Sequence, residues 1–233
     1  VTNMAQTVQY IENNLEKLRG KYICVSNVHT TVMAHDNPAY RNVQNSAAIA
    51  LPDGKPLSVV SRKRGYTEAE RVTGPDLMGE LFARKNGLKH FFYGDKEETL
   101  QILQQKLKEK YPDIQIAGMI SPPFRSLSQE EEKAYIQQIN DSGADIVWIG
   151  LGAPKQENWM YEHQGMLHGV MIGVGAGFSY HAGLIKRAPK WMQKMSLEWF
   201  YRLMQDPVRL FKRYFTTNLK FMLLEAKDKG EVL

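Results

Sequence analysis

Three groups of residues in this chain have types and spacing suited to chemistry. The first is Asp53, which follows a short apolar run and a proline and precedes Gly54. A tight turn there holds a carboxylate at the end of a strand, where it can accept a proton. The same spacing also suits an Asx-turn or a helix cap. The second group is a pair of glycine-rich turns, Gly150-Leu-Gly-Ala-Pro-Lys-Gln-Glu and Gly173-Val-Gly-Ala-Gly-Phe, each after an apolar run. Glycines in such turns let backbone N–H groups approach an anion, and a following helix adds its positive end. The third group is cationic: Arg71, Lys155, Lys186, Arg187, Arg202, Arg209, Lys212 and Arg213. Between Leu184 and Lys220 nine basic residues meet only two acidic ones, Glu198 and Asp206. Together these groups point to a site for a diphosphate-bearing molecule.

Several chemistries are disfavoured. The 173–178 segment has Phe178 where a dinucleotide fingerprint needs Gly or Ala, and no acidic residue follows at a suitable distance. The 150–155 segment lacks the spacing of a phosphate-binding P-loop. The six histidines include no i, i+4 pair, and the chain has no Asp-x-Asp pair. His29 and His35, like His163 and His168, therefore read as surface or core histidines rather than ligands. No metal and no cofactor is expected, so a bound diphosphate would be neutralised by Arg, Lys and backbone N–H groups. Arg71 reads equally as a phosphate clamp or an exposed ion pair. Gln156 reads as a contact to a base or sugar, or as the polar first turn of an ordinary helix.

The elements that must position these residues alternate. Apolar periodicity predicts a helix over 4–18 ended by Gly20, and further helices over 76–87, over 96–110, from Ser128 and from Lys155. Strands are expected over 21–26, 47–51, 88–93, 114–118, 145–149 and 170–174. Apolar strands separated by helices imply an α/β fold: a Rossmann-like, mostly parallel sheet with helices on both faces. Such sheets bind ligands beyond the C-terminal ends of their strands. Asn27, His29, Asp53, Gly152, Gln156, Gly175 and Ser179 fall at those ends. From Pro189 aromatic and basic residues interleave, as two or three helices broken near Pro207. The expected division is a catalytic domain over 1–188 and a helical appendage over 189–233.

At 233 residues, 43% of them hydrophobic, the chain can bury a sizeable core. Its one cysteine, Cys24, permits no disulfide framework and favours a reducing compartment. No run reaches the ~18 apolar residues of a membrane span. The chain opens at Val1 rather than Met and enters a helical pattern almost at once, so a natural first strand ahead of it is expected. The appendage suits packing on the core, RNA, an anionic membrane surface or a second copy of the chain.

Beyond these readings, the chain resembles the bacterial WecG/TagA/CpsF glycosyltransferase family. The matching segments are Asn27-Val-His-Thr, Leu51-Pro-Asp-Gly-Lys-Pro-Leu, Glu70-Arg-Val-Thr-Gly-Pro-Asp-Leu, the two glycine-rich turns, His181-Ala-Gly, Lys186-Arg-Ala-Pro-Lys-Trp-Met-Gln and Leu197-Glu-Trp-Phe-Tyr-Arg-Leu. The resemblance implies an inverting, metal-independent enzyme that moves a sugar from a UDP-sugar to a polyprenyl-diphosphate-linked sugar. It also implies work at the cytoplasmic membrane face, in surface-glycan synthesis, with no nucleic acid as partner. In its terms Asp53 is the general base and Asn27 and Arg71 are polar groups of the site. Gln156 and the 173–177 loop line the donor site, and Arg202, Arg209, Lys212 and Arg213 reach it from the appendage. Two positions depart from the family pattern, Ser179 where Asp is frequent and Val25 where Thr occurs. Ser179 is kept as a donor contact.

Overall fold

A computed structural model of the chain describes residues 3–189, 191, 192, 195 and 197–227, with the side chains of residues 209, 212 and 213 outside that description. Six strands form one sheet: β1 (Tyr22–Ser26), β2 (Ile49–Pro52), β3 (Lys89–Gly94), β4 (Gln115–Ile120), β5 (Ile146–Gly150) and β6 (Val170–Gly173). Their order is β2-β1-β6-β5-β3-β4 and every pairing is parallel.

The apolar strands are continuous because both faces are covered. Ile23, Phe92, Ile146, Trp148, Val170 and Ile172 point into one core, and Tyr22, Cys24, Phe91, Tyr93, Val147, Ile149 and Met171 into another. The period-2 alternation of strand side chains makes that division. The first core is closed by α1 (Met4–Asn13), α2 (Leu15–Leu18), α6 (Gly74–Phe82), α7 (Glu97–Lys110) and α10 (Gly177–His181). The second is closed by α8 (Gln129–Asp141) and α9 (Lys155–Glu162). The α/β fold with a helix-covered parallel sheet is as the sequence implied.

Three helices lie where periodicity gave no signal: α3 (Val28–Asp36), α4 (Pro38–Asn45) and α5 (Lys55–Lys63). Their start signals are local. Asn27 forms a capping box with Thr30, and Asn37 caps α4 ahead of Pro38. The helix expected over 4–18 is broken at Asn14, which leaves helical φ/ψ (−123°, 21°) and donates to the Tyr10 carbonyl from both its backbone N–H and its side chain.

The C-terminal helices are α11 (Glu198–Gln205) and α12 (Pro207–Lys227), parting at Pro207 as expected. Leu210 and Phe221 are buried, while Lys220 pairs with Asp36 on α3 (2.7 Å) and Glu225 with Arg64 (3.7 Å). The opposite side of α12 exposes Val208, Phe211, Phe215, Leu219, Met222 and Leu223. No helix among the described residues is long and apolar enough to cross a membrane.

Candidate active site

Parallel pairing puts every strand's C-terminal end on one edge of the sheet. Asn27 follows β1, Asp53 follows β2, Asp95 follows β3, Gly152 follows β5 and Gly175 follows β6. Ser26 pairs with Pro52, and the Asp53 N–H donates to the Ser26 carbonyl (2.7 Å). With β1 between them, the ends of β2 and β6 lie roughly 10 Å apart. The loop carrying Arg71 spans that gap. Its Val72 N–H donates to the Pro52 carbonyl (2.9 Å), and Gly74 sits so close to Val174 that a Cβ would lie 3.1 Å from the Val174 backbone.

Asp53 is half-buried at this edge. Burial drives its pKa from 3.8 up to about 7; Arg71 and Arg187 pull it down, and Glu198 and Asp76 push it up. Those four side chains form one ion network. Arg187 pairs with both Asp76 and Glu198, the latter at 3.3 Å, and Arg71 pairs with Glu198 and stands 3.8 Å from Asp76. Although burial works against it, Asp76 is held below the usual carboxylate range by hydrogen bonds from Arg187 and Thr73. Two guanidinium groups thus face three carboxyls, and burial holds the pKa of one of them, Asp53, up at about 7. A carboxyl with a pKa near the working pH is suited to general base catalysis.

The glycine turns are built differently from the sequence expectation. The N–H groups of Gly152 and Gly175 do not face an anion: both donate to Gln156 Oε1, at 3.2 and 3.0 Å. The Gly177 N–H donates to the Val174 carbonyl (3.0 Å). What the glycines supply is conformation and room. Gly152 and Gly175 take positive φ (76° and 53°), and a Cβ on Gly173 would lie 2.8 Å from Met160 Cε. Gln156 is buried, with its amide nitrogen donating to Glu157, so it joins the two turns and does not present a free amide to a base or sugar. The N–H groups of Gly152, Gly175 and Gly177 are therefore already engaged within the protein.

The remaining expected residues divide. Asn27 Oδ1 accepts from the His29 and Thr30 N–H groups, so this side chain caps α3 at the site's rim, with His29 half-buried on the first turn. Ser179 donates to Asp95 Oδ2 (2.9 Å). Lys155 and Lys186 are exposed, and Arg202 stacks over the Tyr180 ring, 5.3 Å from its centroid. The side chains of Arg209, Lys212 and Arg213 lie outside the described residues. Four residues were not anticipated in the site: Asp76, Asp95, Tyr180 and Glu198. Glu198 had a signal, as one of two acidic residues in a strongly basic stretch, and Asp95 had another, directly after a strand and Gly94. A cavity of about 650 Å³ opens on the far side of the arginines, lined by Arg71, Asp76, Tyr180, His181 and Arg187 together with Lys106 and Lys110 of α7. Among the described residues no group of three or more His, Cys, Asp or Glu side chains is placed to hold a metal ion.

Residues 1–231 match the Glycosyl transferase WecG/TagA/CpsF family. The chain belongs to this family and is a glycosyltransferase. It is 30% identical over 232 residues to the N-acetylglucosaminyldiphosphoundecaprenol N-acetyl-beta-D-mannosaminyltransferase of Bacillus subtilis (strain 168), covering 98% of this chain and 88% of that protein. The protein of the same name from Bacillus spizizenii is 29% identical over 235 residues, covering 97% of this chain and 90% of its own length. In this WecG/TagA/CpsF chain the Asp53 network draws on four separate segments: the end of β2, residues 71–76 leading into α6, Arg187 after α10, and the start of α11.

Proposed function

We propose that this glycosyltransferase moves a hexosyl group from a UDP-sugar onto a sugar carried on polyprenyl diphosphate, with inversion and without a metal. The relatives' names support the acceptor class, since both describe transfer to a diphosphoundecaprenol-linked sugar. The observation that carries the mechanism is the Asp53 carboxyl, its pKa raised to about 7 at the sheet's C-terminal edge beside Arg71 and Arg187. In its ionised form Asp53 accepts the proton of the acceptor hydroxyl as that oxygen bonds to the donor's anomeric carbon. The bond from that carbon to UDP breaks on the opposite face, and the electron pair leaves on the diphosphate. Arg71 and Arg187 neutralise the developing charge, a stabilisation that acts mainly in the transition state.

The same reading places the protein at the cytoplasmic face of the membrane. The exposed apolar side of α12 rests on an anionic bilayer surface, and the appendage closes over the cleft. Two of the appendage cations are already engaged within the protein, Lys220 with Asp36 and Arg202 over Tyr180, which weakens the case for RNA as the partner.

The test is a panel of UDP-sugars offered with a short polyprenyl-diphosphate-linked sugar, with the product's linkage and anomeric configuration assigned by NMR. One UDP-sugar giving a disaccharide of inverted configuration, unaffected by chelator, is the expected result. A retained configuration or a strict metal requirement would refute the mechanism. Absence of transfer from every UDP-sugar would refute the donor class.

A further inference from the structure

Beneath the site run two short hydrogen-bonded arms that none of the chemistry above uses. From one side, Ser26 Oγ donates to Gln44 Oε1 (2.6 Å) and Gln44 Nε2 donates to the Tyr40 hydroxyl (2.9 Å). No hydrogen bond joins the Tyr40 hydroxyl to Glu157, whose Oε2 is buried without a hydrogen-bond partner. From the other side, the Gly152 and Gly175 N–H groups donate to Gln156 Oε1, and Gln156 Nε2 donates to Glu157 Oε1 (2.8 Å). This second arm ends on Glu157, which is 1% exposed and sits in the first turn of α9, where the helix dipole favours an acidic group.

The polarity of this arm follows from its end point. Glu157 Oε1 accepts, so Gln156 must turn its nitrogen toward it. An amide side chain can be reversed end for end without changing shape, and only its partners decide which end is which. With the nitrogen committed to Glu157, the Gln156 oxygen is left facing the two glycine N–H groups, which need an acceptor. Reversed, three donors would face one another in a buried space. The other arm reaches the base, because the Ser26 carbonyl accepts the Asp53 N–H.

We infer that Glu157 is a positioning residue for the transfer reaction: by orienting Gln156 it holds the turns after β5 and β6. The role in transfer rests on the cleft being the UDP-sugar site; the network itself does not.

The experiment compares Glu157→Leu, Glu157→Ala, Glu157→Gln and Tyr40→Phe in the full chain, reading amide hydrogen exchange at Gly152 and Gly175, steady-state kinetics and thermal stability. Glu157→Leu removes the acceptor; exchange at both glycines then accelerates about tenfold, as for one lost buried hydrogen bond. Donor KM rises by about the same factor while kcat changes less than about threefold, the mark of disturbed donor binding. Glu157→Gln keeps an oxygen for Gln156 and returns both quantities to within about threefold of wild type. Tyr40→Phe breaks no hydrogen bond to Glu157 and leaves both quantities within about threefold of wild type; Glu157→Ala, which also removes the acceptor, decides the matter if Glu157→Leu does not fold. Wild-type exchange at both glycines in whichever of Glu157→Leu and Glu157→Ala folds would overturn the inference, and so would a lowered melting temperature with unchanged donor KM. Exchange needs no turnover, so accelerated exchange without transfer from any UDP-sugar would uphold the network and refute the donor assignment instead.

Discussion

Replacing Asp53 by Asn should stabilise the protein at alkaline pH while abolishing its chemistry. The carboxyl's pKa is about 7 in the fold against 3.8 for an ordinary Asp, with burial the leading cause. A gap of about 3 units corresponds to ~4 kcal/mol of preference for the protonated form. Because the residue is only half-buried, solvent screening reduces this to about 2 kcal/mol. The sign follows from linkage: between the two pKa values the native state binds more protons than the unfolded chain, so stability falls as pH rises. The stabilisation from the raised pKa is fully present below pH 3.8 and is lost once pH passes about 7. An Asn amide cannot ionise and escapes that loss. The variant should therefore match wild type at pH 4 and exceed it by roughly 5 °C in melting temperature at pH 8. Thermal melts of both proteins across pH 4–9 measure this, and taking the difference cancels the other titrating groups. In wild type the kcat/KM for transfer should rise about tenfold per pH unit below 7 and level off above it, while in the variant it should fall at least ~10². A stability difference that is the same at pH 4 and pH 8 would refute the raised pKa. Wild-type turnover in the variant would remove Asp53 from the mechanism.

Three further outcomes are expected. Glu198→Gln removes a negative charge that raises the Asp53 pKa, so the acidic limb of the kcat/KM profile should move to lower pH; an unmoved limb would show that α11 does not reach the base electrostatically. Phe211 and Phe215 are 62% and 64% exposed and stack on one another, so Phe211→Ser with Phe215→Ser should reduce sedimentation with anionic vesicles about tenfold or more, leaving the melting temperature unchanged; full retention on vesicles would exclude this face as the membrane contact. Gly150→Ala places a Cβ 2.7 Å from the fully buried Phe178 ring, which should cost ~1–3 kcal/mol and lower the melting temperature by several degrees; an unchanged melt would mean that the ring can shift freely.

Much of the protein was legible because its signals are local. Continuous apolar runs such as 146–149 and 170–172 identify strands buried on both sides, and parallel pairing then gathers Asn27, Asp53, Gly152 and Gly175 at one edge. The break at Pro207 and the basic stretch around it were equally plain. Helices α3, α4 and α5 were not: α3 has almost no apolar period, and α4 and α5 are eight and nine residues long, with starts marked only by Asn37 and Pro56.

Tertiary structure decided what each polar group does. Local spacing cannot say where an N–H group points, and the Gly152 and Gly175 amides turn to a glutamine rather than to an anion. Nor can it say that Glu198, 127 residues from Arg71, closes an ion network around Asp53. A carboxyl's proton affinity depends on its burial and on charges that only folding brings near it. Amino-acid order alone settled the strands and the edge at which their ends gather; which distant groups meet there, and so their chemistry, was settled by the fold.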